Sequence, residues 1–111
     1  MSSFGLKAWK LNFNAGSQTH GATGAFLFST TPGVNATIAN IMKDWFASFT
    51  VHLDPNVESW SNVPKASWPT YNKASNVMMV NYTEIGVVND KDFDKSERCN
   101  FFWKNSDVVQ N

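Results

Sequence analysis

The sequence predicts a mixed α/β chain that forms the end portion of a larger domain. Short strand patterns and two helix patterns follow one another in the order strand, loop, long helix, hairpin, helix. About three short strands make a sheet too thin to cover two helices, and a strand without neighbours leaves its backbone polar groups unpaired. We therefore predict one partial α/β domain over residues 1–111, with no second domain.

The chain begins with a strand pattern at residues 8–14, where large apolar and polar side chains alternate. Such alternation predicts a strand with one buried face. Residues 15–24 are small, polar and glycine-rich, which predicts a loop. A short apolar run at residues 25–28 follows, and Pro32-Gly33 then interrupts the chain.

The strongest helix pattern follows Asn35, a residue type suited to the N-cap position. Asp54-Pro55 is expected to end this helix. Burial of its apolar stripe contributes on the order of 10 kcal/mol, so the stripe needs a surface on which to pack. The stripe follows a spacing of three and four residues and consists of Ile38, Ile41, Met42, Trp45, Phe46 and Phe49.

The second half of the chain predicts a long loop, a hairpin and a further helix. Residues 56–70 contain two prolines and form the loop, in which we expect Trp68 to be packed. Residues 77–82 and 84–88 predict the two strands of the hairpin. The last helix is expected at residues 94–104, with three side chains towards the core: Cys99, Phe102 and Trp103.

Composition argues against several classes of partner. Nine basic residues balance nine acidic ones, so no nucleic-acid or anionic-membrane partner is predicted. The first residues contain no unbroken apolar run, and we expect neither a signal peptide nor a membrane span. Cys99 is the only cysteine, which makes an internal disulfide impossible.

Two Asn-X-Thr triplets are possible glycosylation acceptors. They are Asn35-Ala-Thr37 and Asn81-Tyr-Thr83, and either would be modified only if the chain entered the secretory route. Together with the missing signal, they favour a natural N-terminus that lies upstream.

Sites for nucleotides and zinc are not supported. Residues 16–23 have the glycine spacing of a phosphate loop, but Ala22 stands where that loop requires lysine. His20 and His52 lie far apart, without an acidic residue at zinc-ligand spacing. The chain also contains no Gly-X-Ser-X-Gly, the motif that presents a hydrolase nucleophile.

The acidic run that begins at Asp90 resembles the start of a calcium loop. Lys95 replaces the turn glycine and Phe101 replaces the glutamate at the twelfth position. We therefore expect a solvated loop and predict no metal and no cofactor.

Five short motifs follow one another over nearly the whole chain, and their order and spacing are more specific than any one of them. They are Ser17-Gln-Thr-His20-Gly21-Ala22 before Phe26-Leu-Phe28, Trp45-Phe-Ala-Ser-Phe49 with Asp54-Pro-Asn56, Trp68-Pro-Thr-Tyr71, Val77-Met-Met-Val80, and Arg98-Cys99 with Trp103. In these motifs the chain resembles the C-terminal portion of type-B carboxylesterases, fungal lipases and cholinesterases, which have the α/β-hydrolase fold.

The resemblance implies that His20 is the catalytic histidine, on a loop after the last core strand. In this family the imidazole takes a proton from a nucleophilic serine and returns it to the departing alcohol. The serine, the acidic triad member and the oxyanion loop precede the histidine in family order, and this sequence has no counterpart of them. We therefore expect no ester hydrolysis by the chain alone.

The resemblance also implies a setting for the complete enzyme. Its partners would be a small-molecule ester substrate and the missing N-terminal portion of the hydrolase, and the protein would be secreted. Cys99 would be a free thiol unless another chain joins it.

Three other interpretations remain open at this point. His20 is an exposed loop histidine without a role, or the chain is a non-catalytic binding or interaction protein derived from the hydrolase fold. A carbohydrate-binding module that uses Trp60 and Trp68 is the third.

Overall fold

The structure, a computed structural model, describes residues 5–28, 34–72, 74–92 and 96–105. No helix in this part of the chain has the length and apolar character needed to cross a membrane. Its elements are β1 (Leu11–Phe13), α1 (Ala22–Phe28), α2 (Ala36–His52), β2 (Asn76–Val80), β3 (Ile85–Asn89) and α3 (Ser96–Lys104), with a 3-10 turn at Asp90–Asp92.

The sheet has β2 at its centre, with β1 parallel on one side and β3 antiparallel on the other. Met78 lies opposite Val87, so the predicted hairpin is confirmed. β2 is buried over most of its length because its Val-Met-Met-Val run is apolar on both faces. Among the described residues β1 has a partner on one side only, which leaves its other edge available to a further strand.

α2 confirms the strongest helix prediction. Asn35 caps it, since its Oδ1 accepts a hydrogen bond from Ile38 N at 3.1 Å. The helix ends where Leu53 adopts a left-handed conformation, with φ of 56°. The stripe is buried only in part: Ile38, Ile41, Met42 and Trp45 are buried, whereas Phe46 and Phe49 remain 41% and 44% exposed.

α1 corrects the prediction that residues 15–24 are loop throughout, because its first turn contains Ala22 and Gly24. A glycine inside a helix costs about 1 kcal/mol relative to alanine, which is why sequence alone favours a loop here. Tertiary packing outweighs this preference. Phe26 is buried and lies edge-to-face against Phe13, with ring centroids 5.2 Å apart.

The hydrophobic core joins α2 to β2 and to α1. Trp45 is fully buried and packs edge-to-face against Trp68, with centroids 5.3 Å apart. Trp68 also donates its indole N–H to the carbonyl oxygen of Lys10 at 3.1 Å. The prediction that Trp68 packs within a loop is therefore confirmed, and this ring is not an exposed surface for stacking a sugar.

α3 lies within the predicted range, but its expected packing is wrong. Phe102 and Trp103 are 55% and 80% exposed instead of facing the core. Phe101 packs edge-to-face against Phe102 at 5.5 Å, so these rings contact each other. No described helix or strand makes more than a slight contact with α3, so these rings remain in contact with solvent. The side chain of Cys99 lies outside the described part of the structure.

The prediction of a solvated acidic loop is wrong at its first residue. Asp90 is only 4% exposed. Its Oδ2 accepts hydrogen bonds from Lys10 Nζ at 2.7 Å and from Tyr71 Oη at 2.8 Å. This carboxylate therefore joins the start of β1 to the end of β3, a long-range pairing that charge clustering in the sequence does not reveal. Asp94 lies outside the described residues.

Candidate functional site

His20 lies on the loop that connects the carboxyl end of β1 to α1. Asn14, the first residue after β1, donates its backbone N–H to Val80 O at 2.8 Å, which fixes the start of the loop against β2. Ala15 follows and is fully buried. The loop therefore begins at a buried residue next to β1 and becomes exposed from Gly16 to His20.

Two glycines shape this loop. Gly16 has φ of +69°, and a Cβ atom there would lie 3.6 Å from the Phe26 ring and 3.8 Å from Tyr82 Oη. Gly21 has φ of +82° directly after the histidine. Because L side chains rarely adopt these angles, the small residues allow the chain to turn on both sides of His20.

Local hydrogen bonds stabilise the exposed part of the loop around His20. Gln18 Nε2 donates to Asn14 O at 3.3 Å, and the hydroxyls of Ser17 and Thr19 lie 2.8 Å apart. Thr19 O then accepts from Ala22 N at 3.0 Å, at the entry to α1. The side chain of His20 itself is exposed, and the described residues place no hydrogen-bond partner on its ring.

An exposed imidazole on an anchored loop can transfer protons, but it needs two further groups to act in a triad. One ring nitrogen must receive the nucleophile's proton, and the other must be oriented by a carboxylate. The hydroxyls of Ser17 and Thr19, which precede His20 in the loop, bond to each other. Within the described residues the loop therefore presents an exposed imidazole and neither of the two groups that a triad adds.

A second histidine does have a carboxylate partner, which the sequence analysis did not identify. His52 Nε2 lies 2.9 Å from Glu58 Oε2, at the C-terminal end of α2. The side chains are 32% and 51% exposed, so solvent screens this pair and its contribution is small. His52 is exposed in the last turn of α2. The sequence signal that could have indicated this pair is the turn at Asp54-Pro55, which lies between His52 and Glu58.

Asp44 forms the most heavily hydrogen-bonded charged cluster in the described chain. It is 3% exposed and accepts from Ser59 Oγ at 2.7 Å and from Trp60 N at 3.0 Å. Ser61 adds its hydroxyl at 2.5 Å, and Lys65 Nζ lies 3.4 Å away. Burial acts to raise the pKa of Asp44, but these hydrogen bonds outweigh it and hold the pKa well below its usual range.

The two buried carboxylates have structural roles. Asp44 fastens the long loop to α2, as described above. Asp90 raises the pKa of the Tyr71 phenol, chiefly by accepting its hydrogen bond and with added effects of burial and charge. Both carboxylates are buried and already accept hydrogen bonds from other residues of the chain. The described residues contain no group of three or more potential metal ligands.

An apolar groove of about 360 Å³ lies beside the N-terminal segment and α2. Its lining includes rings from both helix and loop, and an edge-to-face contact of 5.7 Å joins Trp9 to Phe49. The indole N–H groups of Trp9 and Trp45 are buried, and the described residues place no hydrogen-bond acceptor on them. The groove is lined by Lys7, Ala8, Trp9, Trp45, Phe46, Phe49, Pro55 and Trp68.

A scan of protein-family models gives no match to this chain, and neither do searches of curated proteins and of solved structures. The resemblance to type-B carboxylesterases therefore rests on the five sequence motifs.

Proposed function

We propose that this chain is the C-terminal portion of a serine carboxylic ester hydrolase, in which His20 is the general base. The supporting observation is the position of His20: an exposed ring on a glycine-shaped loop between a sheet strand and a helix, within the His-Gly motif of the resembled family. A histidine placed in this way can approach a serine and a carboxylate supplied by other segments.

The chemistry assigned to His20 is a two-step proton transfer. Its imidazole removes the proton from the serine hydroxyl as the serine attacks the ester carbonyl. The resulting imidazolium then gives that proton to the alkoxide that leaves, and water repeats the sequence to release the acid. The chain itself supplies no Gly-X-Ser-X-Gly nucleophile, so this step requires the remainder of the enzyme.

The open edge of β1 supports an incomplete domain. β1 is only three residues long and is paired on one side within the described chain. A strand from the missing N-terminal portion that paired there would satisfy its backbone groups. The same addition would bring new segments to the carboxyl end of β1, where the His20 loop begins.

A chimeric enzyme tests this proposal. Residues 1–111 replace the corresponding C-terminal segment of an active type-B carboxylesterase, and kcat/KM is measured with p-nitrophenyl acetate. We expect His20→Ala to lower kcat/KM on the order of 1,000-fold or more. His52→Ala is the matched control, because its ring is paired with Glu58 and should leave the rate unchanged.

Two results contradict the proposal. One is a folded, active chimera in which His20→Ala retains full activity. The other is saturable turnover by the isolated chain that survives His20→Ala, since that activity would need a different site.

The second candidate is a non-catalytic interaction protein that uses the exposed face of α3. Phe101, Phe102 and Trp103 are 60%, 55% and 80% exposed, more apolar surface than a single scattered ring presents. Size-exclusion chromatography and calorimetry of the isolated chain separate the candidates. A monodisperse monomer with a sharp melting transition favours the interaction protein, whereas oligomers or aggregates favour an incomplete hydrolase domain.

A further inference from the structure

Helix α3 and the apolar groove beside α2 both present aromatic side chains that the described residues cover only in part. Phe101 and Phe102 of α3 are exposed, and their rings contact each other with centroids 5.5 Å apart. In the groove, Phe46 and Phe49 are also exposed in part. We propose that the groove of one molecule receives the Phe101–Phe102 pair of a second copy, and that two copies exchange these contacts reciprocally to form a dimer.

α3 is too short to be stable by itself. It spans nine residues, Ser96–Lys104, whereas isolated helices shorter than about 12–15 residues are marginal in water. No described helix or strand makes more than a slight contact with it. Since helices in proteins gain most of their stability by packing an apolar face, a second copy would supply contacts that the described part of its own chain does not make.

The two phenylalanines form one face of α3. Successive residues of a helix are separated by about 100°, so Phe101 and Phe102 are neighbours on the helix surface. Trp103 lies about 200° from Phe101 by the same spacing, so a groove that receives the phenylalanine pair leaves the tryptophan outside. The proposed contact therefore uses two of the three exposed rings of α3.

The groove has the size and the chemistry to receive two rings. Its volume of about 360 Å³ lies in the range of about 300–1,000 Å³ that is typical of binding pockets. Trp9 and Phe49 line it and already meet edge-to-face at 5.7 Å, an arrangement that a further aromatic ring can extend. The charges do not decide the docking, because Lys7 lines the groove while Glu97 and Arg98 of α3 have opposite charges.

The apolar area predicts a weak dimer. An aromatic side chain can bury about 150–250 Å², so the exposed parts of Phe101 and Phe102 amount to about 200 Å² in each copy. With the groove surface that they cover, two reciprocal contacts bury about 800 Å², somewhat less than the roughly 1,000 Å² of the smallest stable interfaces. We therefore expect a dimer that dissociates on dilution.

Both elements lie at the same end of the sheet, which allows the dimer to close. Residues 7–9 line the groove and directly precede the start of β1. The end of β3 lies nearby, since Asp90 accepts a hydrogen bond from Lys10 at 2.7 Å, and α3 follows this point in the chain. Two copies that meet at this end can exchange helices about a two-fold axis, whereas elements at opposite ends would link copies into an open chain.

Analytical ultracentrifugation of the full chain, between about 5 µM and 1 mM, tests the proposal. We expect a monomer–dimer equilibrium that higher salt does not weaken, because the contact is apolar. Phe101→Ala with Phe102→Ala should weaken association on the order of 10-fold or more, and so should Phe46→Glu, which places a charge in the groove. The matched controls are Trp103→Ala on α3 and Val51→Glu on α2, which change exposed residues outside the contact and should leave association unchanged.

A mixture of the two variants separates reciprocal exchange from general adhesion. The Phe46→Glu copy retains its phenylalanine pair, and the copy with Phe101→Ala and Phe102→Ala retains its groove. An equimolar mixture should therefore regain one of the two contacts and associate more strongly than either variant alone. Urea unfolding at a concentration where the chain is monomeric shows that each variant is folded. The α3 variant changes only exposed rings, so it tests the dimer even where a groove variant unfolds.

Several results would overturn the dimer. They are a chain that stays monomeric over the whole range, association that the α3 variant leaves unchanged, species that grow beyond dimers, and a mixture with no gain. Growth beyond dimers without a gain on mixing is the behaviour of an incomplete domain that aggregates. The proposal does not rest on His20 as a base: the chimera measures that role in a complete hydrolase, so either proposal can fail alone.

Discussion

Asp44 provides the sharpest test of the forces that hold the long loop in place. It is a buried carboxylate whose two oxygens accept from Ser59, Trp60 and Ser61 and face Lys65. Hydrogen bonds to a charged group contribute about 1.5–3 kcal/mol each, although they are not additive. We expect Asp44→Ala to reduce the free energy of unfolding by about 3–5 kcal/mol, the range for a buried pair that loses one partner.

The size of this loss is large relative to the whole chain. A domain of 111 residues has a total stability of about 5–15 kcal/mol. Asp44→Ala also leaves Lys65, whose side chain is only 12% exposed, without its carboxylate. The double variant Asp44→Ala with Lys65→Met should therefore recover about 1 kcal/mol or more, because it removes the uncompensated charge.

The pH dependence follows from the lowered pKa of Asp44. A carboxyl whose folded pKa lies below its unfolded value of about 3.9 contributes stability above that value and loses it as pH falls towards the folded pKa. The difference between the wild type and Asp44→Asn should therefore be constant from about pH 7 to pH 5 and shrink below about pH 4.

Urea unfolding followed by tryptophan fluorescence at several pH values measures both effects. Glu97→Gln is the control, since it removes an exposed carboxylate from α3. A loss below 1 kcal/mol for Asp44→Ala at neutral pH would falsify the assignment of Asp44 as the main fastening of the loop. A difference from Asp44→Asn that already declines between pH 7 and pH 5 would show that another group dominates the titration.

Three further changes test other parts of the structure. Tyr71→Phe should lower the free energy of unfolding by about 1–3 kcal/mol, since it removes one hydrogen bond to the Asp90 carboxylate. In an ultraviolet titration the variant should lack a phenol whose pKa is raised above its usual value. Because the pKa of Tyr71 is raised in the folded state, the stability that this phenol contributes is lost as pH rises through the folded pKa. Asn35→Ala should cost about 1 kcal/mol in urea unfolding through the lost cap, and an unchanged midpoint would contradict the observed capping bond. Trp45→Ala should cost about 3–5 kcal/mol because its ring is fully buried, whereas Trp103→Ala, on an 80% exposed ring, should stay within about 0.5 kcal/mol.

The sequence predicts well those elements whose signal is local. The cap at Asn35 and the three-and-four spacing after it fix α2, since both features act within one helical turn. The hairpin is likewise fixed by two apolar runs around a short polar turn. Such patterns need no knowledge of the rest of the chain.

The sequence fails where distant segments decide the outcome. Asp90 is buried because Lys10, 80 positions away, reaches it, and nothing near Asp90 indicates this partner. α1 forms where Phe26 packs on Phe13, although its glycine opposes a helix. The exposure of Trp103 has a different cause: its aromatic stripe predicts burial, but the other described elements make little contact with α3.

In the candidate site, too, sequence indicates the local features, whereas contacts with distant segments determine the rest. Sequence motifs identify His20, and the structure adds that its loop is turned by Gly16 and Gly21 and anchored to β2 through Asn14. The orientation of the imidazole, in contrast, would be set by a carboxylate and a serine from other segments. The loop is thus anchored to β2 where it begins, while the imidazole of His20 is exposed and has no hydrogen-bond partner among the described residues. If His20 is the general base that we propose, this combination allows groups from the remainder of the enzyme to set the ring orientation without rebuilding the loop.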